Sequence, residues 1–311
     1  MQDILFPFGL IILAGVAFRR IRPSGMEAGA MSQAINAGVL NLFLPALCIK
    51  TMYRSSVDFE ALLVPGAAWI TTLAALVLAA GTYALLGRKI RLIPQERGVI
   101  LLAAAFGNVT YLGLPVLTGL FGHDAARYAL YYDLLATTPL LWLVGASIAS
   151  RYGGDRKYGF PDALKTIASL PPVWGILAGI TLNLIGFTLP SLIVNTLDML
   201  GGLVVPLMIF SIGLALTFPK VAHAYAVLPA VVIKLVVSPG ISFLTAKTFG
   251  LSGIALTSTV LEGAMPSMVL TLLVASRYKL DISLAAFMIV VTTLLSFFTL
   301  PALLSLVGPL H

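Results

Sequence analysis

The chain alternates long apolar stretches with short polar ones. Apolar runs cover about residues 4–18, 32–53, 61–86, 98–121, 125–149, 164–186, 190–218, 222–246, 252–275 and 282–306. Roughly 20 mostly apolar residues let one helix cross a bilayer, so the pattern predicts ten transmembrane helices. The separations are thinnest at Phe121-Gly122-His123-Asp124, Gly186-Phe187 and Lys247-Thr248-Phe249-Gly250-Leu251. Merging any of these would remove one crossing and reverse one terminus.

Two runs are interrupted. Gly107-Asn108-Val109-Thr110-Tyr111-Leu112-Gly113-Leu114-Pro115 divides the fourth, and Gly263 to Pro266 divides the ninth. Proline lacks an N–H and collides with the preceding turn, while glycine removes the side chain that would resist an altered backbone. Residues 98–106 make a half-helix of about 14 Å at roughly 1.5 Å per residue, which puts the first break near the bilayer midplane. Backbone groups left unpaired there persist only inside protein or beside a polar cavity, where Asn108, Thr110, Ser267 or water answer them. Pro115 and Pro266 suit the first turn of each resumed half-helix, and two positive dipole ends meeting at that depth would favour an anion or carboxylate. This is the candidate substrate site, with Asn108, Thr110, Tyr111, Pro115, Met265, Pro266 and Ser267 as its residues. Asn41 joins them because it precedes a proline turn at Pro45 in the second span. Asn108-Val109-Thr110 also fits a glycosylation sequon, but its membrane depth argues against that use.

Charge placement tests the count independently. Alternate loops collect 14 of the 19 Lys and Arg: Arg19, Arg20, Arg22, Arg88, Lys89, Arg91, Arg97, Arg151, Arg156, Lys157, Lys165, Lys220, Arg277 and Lys279. The opposite side holds Lys50, Arg54, Arg127 and Lys247, and Lys234 falls inside a span. The basic side is cytoplasmic, so both termini are expected outside. The longest hydrophilic connection, around 151–158, falls at mid-chain and divides it into residues 1–150, a cytoplasmic loop 151–163, and residues 164–311. The two five-helix parts start in opposite orientations and form an inverted repeat if they share ancestry. Weak similarity supports this: Asn41-Leu42-Phe43-Leu44-Pro45 is echoed by Gly202-Leu203-Val204-Val205-Pro206, and the fourth span of each half is the broken one. Gly175-Ile176-Leu177-Ala178-Gly179 is a small-residue face able to pack a span of this chain or of a second protomer.

Composition narrows the function. Of 311 residues, 59% are hydrophobic and 10% charged, with mean hydropathy +1.02, which excludes an ordinary soluble enzyme. The net charge of +7 is explained by topology rather than by a nucleic-acid partner. Cys48 alone, with the separated His123, His223 and His311, leaves no disulfide, zinc, iron-sulfur or haem spacing, and no cofactor is expected. Met1-Gln2-Asp3 lacks the basic residues of a cleavable signal, so the first run reads as a retained helix.

Ionisable residues within spans mark pathways or structural networks. Glu262 directly precedes the second break and could carry a proton, coordinate sodium or hold the crossover together. Asp133 follows Tyr131-Tyr132 in the fifth span, Asp198 lies early in the seventh, and Lys234 lies well inside the eighth, where it could counter Glu262 or an anion. Asn41, Asn183 and Asn195 are candidates for bonds between helices.

These stretches resemble the auxin efflux carrier family, including bacterial members described as malonate, malate or other organic-acid permeases. The resemblance spans nearly the whole chain and is carried by 107–115, by Pro206-Leu207 with Gly213-Leu214-Ala215-Leu216, by Ala264-Met265-Pro266-Ser267 and by Leu295-Ser296-Phe297-Phe298-Thr299-Leu300-Pro301. It implies an all-α polytopic fold of ten helices, an inverted repeat of five plus five, with broken helices 4 and 9 crossing at the midplane beside the substrate. It carries that role onto Asn108, Pro115 and Pro266. It also implies a dimerising scaffold that includes spans 1, 2, 6 and 7. The bile-acid sodium symporter fold is similar, and its ninth helix often bears a sodium-site glutamate resembling Glu262. The run of small polar residues of that group's helix 4 is absent here, as is the long cytoplasmic loop of the long plant auxin carriers.

The sequence therefore predicts a secondary transporter of a small organic anion, a mono- or dicarboxylate, working by alternating access in a bacterial cytoplasmic membrane. A sodium ion near Glu262 or a proton is the candidate coupling ion, and a homodimer is the candidate assembly. A uniporter or channel-like facilitator is the competing reading, followed by a membrane receptor. No serine, histidine or paired-carboxylate arrangement favours an enzyme.

Overall fold

The computed structural model describes residues 2–55, 58–86, 90, 92–154, 158–215 and 224–308. Arg88, Lys89, Arg91, Arg156, Lys157, Leu216, Lys220, His223 and His311, with part of the 151–163 connection, lie outside the described residues.

Each apolar run coincides with helix. The helices are α1 (Gln2–Ile21), α2 (Ala28–Arg54), α3 (Glu60–Leu86), α4 (Pro94–Ala105), α5 (Val109–Phe121), α6 (His123–Gly153), α7 (Phe160–Ala168), α8 (Pro171–Leu184), α9 (Ser191–Ala215), α10 (Tyr225–Thr248), α11 (Gly253–Gly263), α12 (Leu270–Arg277) and α13 (Ile282–Val307). No strand forms among the described residues beyond one isolated bridge, as expected where the backbone must satisfy its own hydrogen bonds. By length and composition six helices among the described residues could cross a membrane, namely α2, α3, α6, α9, α10 and α13, and a seventh if α7 and α8, bent by 63°, form one span. The ten predicted crossings are thus not matched by ten long helices. The fourth and ninth runs are each divided, leaving α4 with 12 residues, α11 with 11 and α12 with 8.

The thin separations are true helix ends. Gly186 and Gly250 adopt φ of +65° and +78°, a conformation that costs glycine little. At the first, Phe187 N–H donates to the Leu182 carbonyl and Gly186 N–H to that of Asn183; at the second, Leu251 and Gly250 donate likewise to Ala246 and Lys247. This double bond pattern is the Schellman stop.

Among the described residues five stretches inside the helices are wound more widely, in π-type turns: Val39–Phe43, Val109–Gly113, Asp133–Thr137, Leu141–Gly145 and Ile233–Val237. Four of the five are followed two residues later by proline, at Pro45, Pro115, Pro139 and Pro239. The residue before the proline donates five back: Leu44 to Val39, Thr138 to Asp133, Ser238 to Ile233. The proline ring would strike the carbonyl four residues before it, and widening the turn relieves that collision. Five polar candidates from the sequence, Asn41, Thr110, Tyr111, Asp133 and Lys234, all fall in these turns.

The chain forms two compact units. Unit 1 comprises Met1–Ala61, Thr110–Leu130 and Ile167–Leu216. In it α8 lies tightly on α2, because Cβ atoms at Gly175 and Gly179 would stand 2.8 Å from the Pro45 carbonyl oxygen and 2.7 Å from that of Ile49. The small-residue face therefore packs within the chain. Asn183 Nδ2 donates to the Tyr53 and Ser55 carbonyls at 2.8 Å each, covering the C-terminal end of α2. Unit 2 comprises Leu62–Val109, Tyr131–Thr166 and Thr217–His311. Its interior is pinned by polar aromatic tips: Trp69 Nε1 donates to the Leu135 carbonyl at 3.1 Å, and the Tyr83 hydroxyl donates to the Ala226 carbonyl while accepting from Ala230 N–H at 3.2 Å.

Candidate functional site

Within unit 2 the two interruptions meet. Helix α4 stops at Ala105, α11 stops at Gly263, and the extended links that follow pair antiparallel around Gly107 and Ser267. Asn108 N–H donates to the Pro266 carbonyl at 2.7 Å and Met268 N–H to the Phe106 carbonyl at 2.9 Å. The Ser267 hydroxyl donates to the Ala103 carbonyl at 2.7 Å, and the Ser267 N–H donates to Thr292 Oγ1 at 3.0 Å. Main-chain groups that the breaks expose are thus answered largely by each other.

The flanking prolines act differently from expectation. The coil after the first break resumes at Val109, so Pro115 enters one wide turn later, at the start of the regular part of α5. After the second break the helix resumes only at Leu270. Pro266 stays in the extended link, where its carbonyl is the acceptor for Asn108. A proline fits there because it has no N–H to satisfy.

Charged groups surround this seam in unit 2. Lys234 Nζ donates to the Gly263 carbonyl, the last of α11, at 3.0 Å, and it would stand 3.1 Å from a Cβ at Gly107. Its ammonium therefore sits beside both links. Glu262 is fully buried, and neither carboxylate oxygen has a hydrogen-bond partner among the described residues. Lys234, Asp133 and the Tyr132 hydroxyl lie within electrostatic range of that carboxylate. Asp133, 3% exposed, accepts from Thr138 Oγ1 at 2.8 Å. Among the described residues no three His, Cys, Asp or Glu side chains gather as a metal ligand set, and a monovalent cation at Glu262 would share its surroundings with the Lys234 ammonium.

The remaining candidates lie elsewhere. Thr110, Tyr111 and Pro115 belong to unit 1, where Thr110 and Pro115 are buried and Tyr111 half-buried. Asn41, also in unit 1, is exposed, and its amide donates to Ala37 of its own helix at 2.8 Å rather than to another span. Asp198 joins an ion-pair cluster with Lys50 at 2.5 Å and Arg54 at 3.3 Å. Sequence reasoning missed Thr292, which sits in the plain run Val290-Val291-Thr292-Thr293 with no signal to mark it. It also missed that Lys50 and Arg54 share Asp198 as a partner, although their four-residue spacing could have revealed a shared helix face.

Apolar helices of spanning length and breaks that pair deep within a helical unit define a multi-pass membrane protein. Residues 10–169 and 160–304 match the membrane transport protein family, the auxin efflux carrier family to which the motifs point, and the chain belongs to it. An "uncharacterized transporter" of Methanothermobacter thermautotrophicus is 32% identical over 94% of this chain and 93% of its own. One of the same description from Methanocaldococcus jannaschii is 30% identical over 95% of each. A Rhizobium meliloti protein named "Putative malonate transporter" is 26% identical over 96% of this chain and 93% of its own.

Proposed function

We propose that the protein is a secondary transporter of a small organic anion, a mono- or dicarboxylate, that works by alternating access in a prokaryotic cytoplasmic membrane. In this reading the ten apolar runs are ten crossings, arranged as an inverted repeat of five plus five with both termini outside. The fourth and ninth crossings are the broken ones. The observation that carries the reading is the backbone pairing of the two breaks with Lys234 beside both. Discontinuous helices meeting inside a helical unit are how carriers make an ion or substrate site in hydrocarbon. The substrate binds at Asn108, Met265 and Ser267. Glu262 couples the cycle to a proton or a sodium ion, since a buried carboxylate without hydrogen-bond donors is stable only when neutralised. The relative named for malonate supports the carboxylate class, and a second copy of the chain is the proposed partner in the membrane.

Purified protein in liposomes, offered a panel of radiolabelled mono- and dicarboxylates under imposed sodium, proton and voltage gradients, tests this. Saturable counterflow of at least one carboxylate is expected. Unitary ionic currents, or no flux of any member of the panel, would overturn it. Asn108→Ala is expected to weaken apparent affinity about tenfold with the fold intact, since the seam uses only the backbone of Asn108 and a lost polar contact to a charged group is worth about that much. Unchanged affinity would remove Asn108 from the site.

A further inference from the structure

Unit 1 contains a cavity of about 710 Å³ that the crossover does not use. Its wall carries Lys50, Arg54, His123 and Arg127 together with one carboxylate, Asp124, which lies next to His123 and away in sequence from Lys50 and Arg54, and it extends to Pro115 and to Pro206, well inside α9. It therefore runs from the charged end of α2 toward the middle of an apolar helix.

The cations on this wall are held from behind. Lys50 and Arg54 both bind Asp198, Arg54 through both terminal nitrogens at 3.3 and 3.4 Å. On another part of the wall, Arg127 donates to Glu60 at 3.1 Å, which Tyr128 also binds at 2.9 Å, and it lies 3.8 Å from Asp58. The three rear carboxylates do not line the cavity, whereas the cations do.

Two facts separate the Lys50 and Arg54 pair from an ordinary helix-end ion pair. Basic residues near a helix C-terminus commonly satisfy its last carbonyls, but here Asn183 already donates to Tyr53 and Ser55. Asp198 also balances only one of the two charges. An ammonium has three donors and a guanidinium five. Asp198 engages one of the first and two of the second, so donors remain for a further carboxylate.

We infer that this cavity is a carboxylate-binding subsite in which the anion is held by Lys50 and Arg54, with Asp198 as the internal carboxylate that competes for them. The inference rests on the transport reading for its place in the cycle, as the subsite where the anion loads, but its chemistry comes from the cavity alone. Asp198 keeps the two cations apart from each other's repulsion and in position while the subsite is empty, and it weakens the hold on the arriving anion enough for onward release.

The test uses the full chain in phosphatidylcholine liposomes, with radiolabelled malonate as probe. Asp198→Asn is expected to lower the KM for malonate severalfold, and K50Q/R54Q to raise it about tenfold, with Vmax shifting less than about twofold in each, as for groups acting on binding rather than turnover. In the K50Q/R54Q background, Asp198→Asn should no longer lower KM. A purely structural ion pair predicts instead that Asp198→Asn lowers thermal stability and leaves KM unchanged or higher, which would overturn the inference. The second readout needs no transport: malonate should raise the thermal midpoint of the detergent-solubilised protein, at lower concentration in Asp198→Asn and at higher in K50Q/R54Q. That pattern without flux of any carboxylate would keep the subsite and reject the transport reading. Flux with KM unmoved by all three substitutions would keep transport and reject the subsite. Stabilisation by phosphatidylglycerol with none by malonate would assign the cations to lipid headgroups and likewise reject it.

Discussion

Glu262 is the residue on which the energetics of the crossover turn. It is wholly enclosed, its carboxylate lacks a hydrogen-bond donor among the described residues, and Lys234 is the cation in range, with Asp133 opposing. Removing one member of such a buried set usually destabilises, because the other charge is stranded. Glu262→Gln keeps the shape while deleting the charge, so it isolates the electrostatic role. We expect it to abolish uptake driven by an ion gradient, preserve counterflow of the transported substrate, and lower the thermal midpoint by several degrees because the Lys234 ammonium loses its counter-charge. Sodium and pH dependence identical to wild type in that variant would refute coupling at Glu262. Residues of this kind are legible in sequence because a charge in an apolar run is conspicuous. Ser267 was legible too, through its place beside a broken proline motif. Thr292 was not, since a threonine among valines in a membrane helix has many unremarkable uses.

Among the elements, the helices followed directly from hydrophobic runs, and their stops from glycines at Gly186 and Gly250. What the pattern did not reveal was where each interrupted span resumes. Pro115 and Pro266 look alike in sequence, yet one follows a helical turn and the other stays extended, because the extended link of the second break is held by pairing with residues about 160 positions away. A pairing partner at that separation leaves no local trace. The widened turns are more readable afterwards than before: proline marks four of them, but Leu141–Gly145 has none. The packing of α8 on α2 gives a direct test of an element contact. A Cβ at Gly179 would meet both Ile49 O and Met52 Cβ at 2.7 Å, so Gly179→Val has to separate the helices or distort them. We expect loss of a monodisperse peak in size-exclusion chromatography, or a thermal midpoint lowered by several degrees, as for an overpacked contact costing about 1–3 kcal/mol. Wild-type behaviour would show that the two helices are not held that closely.

For the whole molecule, orientation is the property read from charge alone, and several of the arginines and lysines that carry it lie outside the described residues. It is directly measurable, because Cys48 is the sole cysteine and is buried. After Cys48→Ala, a membrane-impermeant maleimide should label Gln2→Cys in intact cells and Glu27→Cys only after permeabilisation. The reverse pattern would invert the topology. Ten apolar runs were countable from the hydropathy pattern, whereas the grouping of segments into two units was not, since unit 1 draws on three separate stretches and unit 2 on three others. The seam between Phe106-Gly107-Asn108 and Pro266-Ser267-Met268 has a further implication for descent. Its frame rests largely on main-chain pairing, so a side chain the pairing does not use, such as that of Asn108, is exchangeable without dismantling it, whereas Gly107 and Ser267 are held by Lys234 and by the Ala103 carbonyl. With the substrate bound there as proposed, a lineage could retune which molecule it recognises by small steps at such a position while inheriting the same scaffold.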